Sequence, residues 1–231
     1  MAVTFYFTRH GETQFNVENR VQGWCDSPLT EKGVRDARLL GRGLADRDFA
    51  AAYASDTSRA RDTLALALEA RAEARACEGR AIAPVPVRED ARLREWCFGM
   101  LEGEPSEAMG RCLRDLFGDD LPREAQNRRL NEIADYLSDT DPTQRAEDFA
   151  TITARIEGFL HECGRSVEEA GGGNVLVVSH ALLIRALVFL YVRDGVAFPS
   201  KIENASITEV MWDDGVISLG AIGDTAHLER V

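Results

Sequence analysis

The chain has 231 residues, 45% hydrophobic, 29% charged and 7% aromatic, which is the profile of an ordinary folded protein. That excludes collagen-like, mucin-like and disordered polar chains, and five cysteines are too sparse for a small disulfide scaffold. Twenty-seven basic against 39 acidic residues give a formal charge of −12, so neither nucleic acid nor an anionic membrane is an expected partner.

An anionic substrate would have to be held by a local cation cluster acting against the field of the whole chain. The placement of individual arginines is therefore informative. Cys25, Cys77, Cys97, Cys112 and Cys163 form no C-x-x-C pair and are odd in number, so they read as reduced thiols in a reducing compartment. No closely spaced Cys/His pairs suggest zinc. The N-terminus has no basic segment or cleavage-like site, and no apolar run reaches membrane-spanning length. A cytoplasmic location is expected, with no metal and no cofactor; the sequence sets no oligomeric state.

In chain order, residues 3–8 are apolar, β-branched and aromatic, and predict a buried strand. Residues 9–28 carry Gly11, Asn16, Asn19, Gly23 and Pro28 without a period, so they predict a long loop, which in a compact domain is usually functional. Thr30 reads as an N-cap for a helix carrying Leu39, Leu40 and Leu44. Residues 50–54 predict a second strand, Ser55 and Asp56 offer caps, and a helix follows over about 58–75. A short strand is expected in 81–87 despite its two prolines, then a glycine-bearing loop over 93–103.

Residues 104–142 are charged, irregular and helical in parts, and read as an insertion on the rim of the sheet. A helix is expected over 146–170, stopped by Gly171-Gly172-Gly173. Residues 174–179, with four consecutive apolar side chains, predict a strand buried on both faces, as in a parallel sheet. A helix runs from His180 to about Tyr191. Residues 206–212 and 216–222 flank Asp213-Asp214-Gly215 as a hairpin. The alternation predicts one α/β layered domain over 1–231, with the insertion at about 104–142.

Four strand ends or loops carry polar residues at once: Arg9-His10-Gly11-Glu12-Thr13, residues 55–59, Leu93-Arg94-Glu95 and Ser179-His180. In open α/β sheets ligands bind where such loops meet. Two histidines, two or more arginines and a carboxylate suit phosphoryl transfer through an imidazole nucleophile. Arginines fork onto phosphoryl oxygens, disfavour imidazolium and replace a metal's charge, while a carboxylic acid protonates the leaving oxygen. Arg59, Arg61 and Arg94 compete as the second guanidinium, and Glu95, Glu102 and Glu12 as the acid. His161 and His227 have no such surroundings and read as structural or exposed. Arg123, Arg128 and Arg129 read as a solvated face. Without a Gly-x-Ser-x-Gly elbow, Ser27, Ser55 and Ser179 suggest no serine hydrolase.

Arg9-His10-Gly11-Glu12-Thr13, followed by Asn16 and by residues 19–24, resembles the signature of the histidine phosphatase superfamily, the family of phosphoglycerate mutase and related phosphatases. Further blocks match in order: residues 55–60, Leu93-Arg94-Glu95 with Phe98-Gly99 and Leu101-Glu102-Gly103, Val178-Ser179-His180 with residues 184–187, and residues 204–208. The resemblance implies a three-layer α/β/α sandwich with a mostly parallel central sheet. It also implies His10 as the nucleophile, with Arg9, Arg59 and His180 lining the phosphate pocket and Glu95 as the proton donor. Asn16, Gln22, Gly23 and the Ala181 N–H would make secondary phosphate or substrate contacts.

Two departures bear on the reaction. Leu182 stands where mutases tend to have asparagine, and Trp96-Cys97-Phe98-Gly99 replaces the Arg-His-Tyr-Gly run that follows the acid in mutases. The expected activity is therefore a metal-independent phosphomonoesterase acting on a small phosphorylated metabolite. A cofactor-dependent phosphoglycerate mutase is the alternative, and a non-catalytic phosphate-binding module the remote one.

Overall fold

The computed structural model describes residues 2–193 and 198–229, apart from the side chain of Arg123. Among these, the strands are β1 (Val3–Arg9), β2 (Phe49–Ala54), β3 (Val87–Glu89), β4 (Gly173–Ser179), β5 (Ile207–Asp213) and β6 (Val216–Leu219). They form one sheet in the order β3-β2-β4-β1-β5-β6. The β1–β4, β2–β4 and β2–β3 ladders are parallel, and β5 runs antiparallel to β1 and β6.

Side chains alternate across each strand, and this alternation divides the core into two apolar layers. Val3, Phe5 and Phe7 of β1 and Val175 and Val177 of β4 pack under α7 (Phe149–Glu169) and α8 (Ala181–Tyr191). Tyr6, Leu176 and Val178 face α2 (Glu31–Gly43) and α3 (Ser58–Cys77), which contribute Leu40 and Leu64. The result is the expected three-layer α/β/α arrangement around a mostly parallel sheet. Burial on both faces explains the unbroken apolar run of β4.

Four local expectations are corrected. The strand expected in 81–87 begins only at Val87, because Pro84 and Pro86 have no N–H to give a ladder; Pro86 instead accepts the Ala52 N–H at 2.8 Å. The loop over 9–28 contains a short helix, α1 (Gln14–Val17), set by a capping box between Thr13 and Asn16. Neither Ser55 nor Asp56 caps α3. Its N-cap is Thr57, Asp26 of the long loop takes the Ser58 N–H, and Asp56 pairs with Arg94. The helix expected from residue 146 begins at Phe149 behind the N-cap Asp148, since residues 143–146 are wrapped around the Asp141 carboxylate.

The 104–142 segment comprises α4 (Ser106–Phe117), α5 (Arg123–Asn127) and α6 (Leu130–Thr140). Leu130, Ile133, Ala134 and Leu137 of α6 join the apolar layer beneath α7. No helix among the described residues is long and apolar enough to cross a membrane.

Candidate active site

β1 and β4 are adjacent and parallel, so their carboxyl ends deliver Arg9-His10 and Ser179-His180 side by side. The His10 N–H donates to the Ser179 carbonyl at 2.9 Å, and the two imidazole centroids are 5.2 Å apart. His10 Nδ1 lies 2.8 Å from the Gly11 carbonyl. A carbonyl can only accept, so Nδ1 carries the proton and Nε2 keeps its lone pair. Burial, with Arg59 and Arg9 nearby, holds the ring well below the usual histidine range. Gly11 has no room for a side chain, since a Cβ there would meet the Gly33 carbonyl of α2 at 2.6 Å.

Arg59, in the first turn of α3, is fully buried. Its guanidinium donates to the Gly23 carbonyl (2.6 Å), the Cys25 carbonyl (2.8 Å) and Asp26 Oδ1 (3.0 Å), and to His180 Nδ1 at 3.1 Å. Arginine cannot accept, so His180 carries its proton on Nε2. That N–H has no hydrogen-bond partner, nor have the Arg59 and Arg9 Nε–H groups. Buried donors left without a partner are the kind of deficit that an oxyanion fills. Burial and the Arg59 charge keep His180 neutral.

Glu95 is buried at the N-terminus of α8. Its carboxylate accepts the N–H groups of Leu182 and Leu183 at 2.9 Å each, and that of Trp96 at 3.0 Å. These bonds favour the ionised form, but burial outweighs them and pushes the carboxyl above its ordinary range. Of the competing acids, Glu102 is engaged by four backbone N–H groups and Glu12 by Thr30. Of the competing guanidiniums, Arg61 pairs with Glu89 and Arg94 with Asp56.

Arg9, His10, Asn16, Gln22, Glu95 and Ala181 form the floor of a cavity of about 560 Å³; Arg59 and His180, expected to line it, are fully buried behind that surface. Gly23 does not line it; its carbonyl orients Arg59 and its N–H goes to Glu102. Phe98 and Leu182 form the wall, and Met109, Leu113 and Arg114 of α4 the roof, with Arg20 at the mouth. Among the described residues no group of His, Cys, Asp or Glu side chains has the arrangement to hold a metal ion. His161 packs on Trp212, and His227 is buried against the Ala205 carbonyl, both away from the cavity. Arg129 pairs with Glu132, and the Arg123 side chain lies outside the described residues. Beside Arg59, burial and Glu102 push the Cys25 thiol up to about 12.

Sequence reasoning missed Arg155 of α7. It donates to the Arg92, Arg94 and Glu95 carbonyls at 2.8, 2.6 and 3.0 Å and forms a largely buried pair with Glu147. It thereby clamps the segment that carries Glu95. A signal was present: Arg155 interrupts the apolar stripe of Ile152, Ile156 and Phe159 at helical spacing.

The family model of the histidine phosphatase superfamily (branch 1) matches residues 5–225. The 2,3-bisphosphoglycerate-dependent phosphoglycerate mutase 2 of Gloeobacter violaceus is 34% identical over 185 residues, covering 78% of this chain and 71% of that protein. A crystal structure of phosphoglycerate mutase from Bacillus anthracis superimposes with a TM-score of 0.88 at 36% identity, covering 99% of this chain and 96% of that one. A mycobacterial glucosyl-3-phosphoglycerate phosphatase superimposes at 0.69 with 26% identity, covering 97% and 100%. Both mutases and phosphatases thus share this chain's architecture. On its motifs, its fold and the length of the match, the chain belongs to the histidine phosphatase superfamily.

Proposed function

We propose that the chain is a metal-independent phosphomonoesterase that hydrolyses a small phosphorylated metabolite through a phosphohistidine at His10. The observation that carries this reading is the geometry of His10: Nδ1–H is tied to the Gly11 carbonyl and Nε2 is left to attack, on the floor of the cavity, while burial beside Arg59 and Arg9 holds the ring below the usual histidine range. In the first step Nε2 attacks phosphorus, the bond to the leaving oxygen breaks, and the Glu95 carboxyl gives that oxygen its proton. In the second, Glu95 carboxylate takes a proton from water as the water oxygen attacks phosphorus. The P–N bond breaks, phosphate leaves, and His10 and the protonated acid are restored. Arg9, Arg59 and the His180 Nε2–H meet the charge that gathers on the phosphoryl oxygens.

Hydrolysis is favoured over mutase chemistry by the wall. Phe98, Leu182, Met109 and Leu113 offer no donors to a carboxylate or second phosphate, and burying those groups unpaired costs several kcal/mol. The mutase reading is supported by Arg20 and Arg114 at the cavity's edge and by relatives that bear that name. The deciding experiment supplies 3-phosphoglycerate with a bisphosphoglycerate primer and, separately, a panel of phosphomonoesters. Inorganic phosphate should accumulate from at least one monoester, with little 2-phosphoglycerate formed. Efficient interconversion, at kcat/KM of about 10⁴ M⁻¹s⁻¹ or above and with negligible phosphate release, would establish the mutase instead.

A further inference from the structure

Beside the main cavity lies a second chamber of about 120 Å³. Phe98, Met109, Leu113, Gln126 and Leu182 line both spaces, so the two meet along one wall. The chamber's other walls include Trp96, Leu130, Ile133 and Leu137, all buried. Its polar lining is turned to other partners: the Asn127 amide donates to the Ser200 carbonyl at 3.3 Å, and the Arg185 guanidinium lies over the Phe198 ring. The Trp96 indole is 1% exposed, and its N–H has no hydrogen-bond partner.

The geometry sets the direction. In the proposed reaction Glu95 stands beside the leaving oxygen; Leu182, whose N–H donates to Glu95 at 2.9 Å, and Phe98 line both the cavity and the chamber. The cations at the edge are exposed side chains with neighbours of their own. Arg20 donates to the Gly103 carbonyl at 2.7 Å and stacks on Phe15, and Arg114 lies 3.9 Å from Asp119. The wall that the two spaces share is apolar but for Gln126, whose amide donates to the Leu121 carbonyl at 2.9 Å.

We infer that this chamber is a leaving-group subsite that takes an apolar moiety, an aryl group or a medium-length alkyl chain. It makes the site selective for such phosphomonoesters over phosphorylated polyols and glycerates. The inference rests on the hydrolase reading, and its test separates the two.

Affinities of methyl-, butyl- and hexylphosphonate, which cannot be hydrolysed, are measured by calorimetry beside kcat/KM for the matching alkyl phosphates, glycerol phosphate and 3-phosphoglycerate. Both quantities should rise along the alkyl series, by up to about fourfold per buried methylene. Leu113→Glu on α4 should collapse the hexyl-to-methyl ratio, with Leu113→Met retaining it. Met109→Gln supplies a second, milder polar change should Leu113→Glu unfold. Flat phosphonate affinities, or tighter binding of the glycerate, would overturn the subsite whatever the turnover. Affinities that rise with chain length without phosphate release from any monoester would uphold the apolar subsite and sink the hydrolase reading.

Discussion

Glu102 is the residue whose removal should most clearly couple stability to the site without touching the reacting atoms. Each of its carboxylate oxygens accepts two backbone N–H groups, from Gly23 (3.2 Å), Trp24 (2.9 Å), Cys25 (2.9 Å) and Phe98 (3.0 Å). The same loop presents the Gly23 and Cys25 carbonyls to Arg59. In Glu102→Gln the amide oxygen can keep two of these bonds, and its NH₂ faces two donors. A hydrogen bond to a charged group contributes about 1.5–3 kcal/mol. Trp24 is exposed, so water replaces part of what is lost, and a net cost of about 2–3 kcal/mol remains. For a chain of this length that lowers Tm by about 4–12 °C. A displaced Arg59 should also cut kcat/KM by on the order of 10²-fold. Thermal unfolding and phosphate release are read on the same preparation. A lowered Tm with kcat/KM unchanged within twofold would show that Arg59 is placed without Glu102, and would refute the argument.

Three further outcomes are expected. His10→Ala should abolish an acid-labile, base-stable phosphoenzyme trapped by rapid quench, with turnover down by several orders of magnitude; undiminished labelling would reassign the nucleophile. For pH, the depressed His10 ring should stay unprotonated, so kcat/KM should hold as pH falls below about 6.5. It should decline on the alkaline side as the elevated Glu95 carboxyl ionises, a limb that Glu95→Gln should remove; a half-loss as pH falls through the ordinary histidine range would contradict the assignment of His10. Asp141, held by the N–H groups of Met100, Thr143, Arg145 and Ala146, has its carboxyl depressed. Its stabilisation is fully present above the unfolded carboxyl's pKa of about 3.9 and is lost as pH falls below it. Asp141→Asn should thus lower Tm at neutral pH and lessen its fall in acid, and an unchanged acid profile would remove Asp141 from the account.

Strand identity was legible in short β-branched and apolar runs. Residues 3–8 and 174–179 announced β1 and β4, and their order with the intervening helices announced the α/β layers. The catalytic candidates were legible because His10, Arg59, Glu95 and His180 each stand at an element end inside a motif of fixed spacing. What was not legible depends on partners far apart in the chain. Asp56 looks like a cap until the fold brings Arg94 to it, and Asp26 takes the helix terminus in its place. Glu102 looks like a candidate acid until residues 23–25 close over it. Glu95 meets the Leu182 and Leu183 N–H groups nearly ninety residues away, and Arg155 clamps it from another helix. The role of 104–142 as roof and chamber wall also came only from the packing of α4 and α6. Periodicity and capping are set by neighbours within a few residues and survive in the sequence. The partner of a charged side chain is set by which surfaces the core brings together, and only the folded chain decides it.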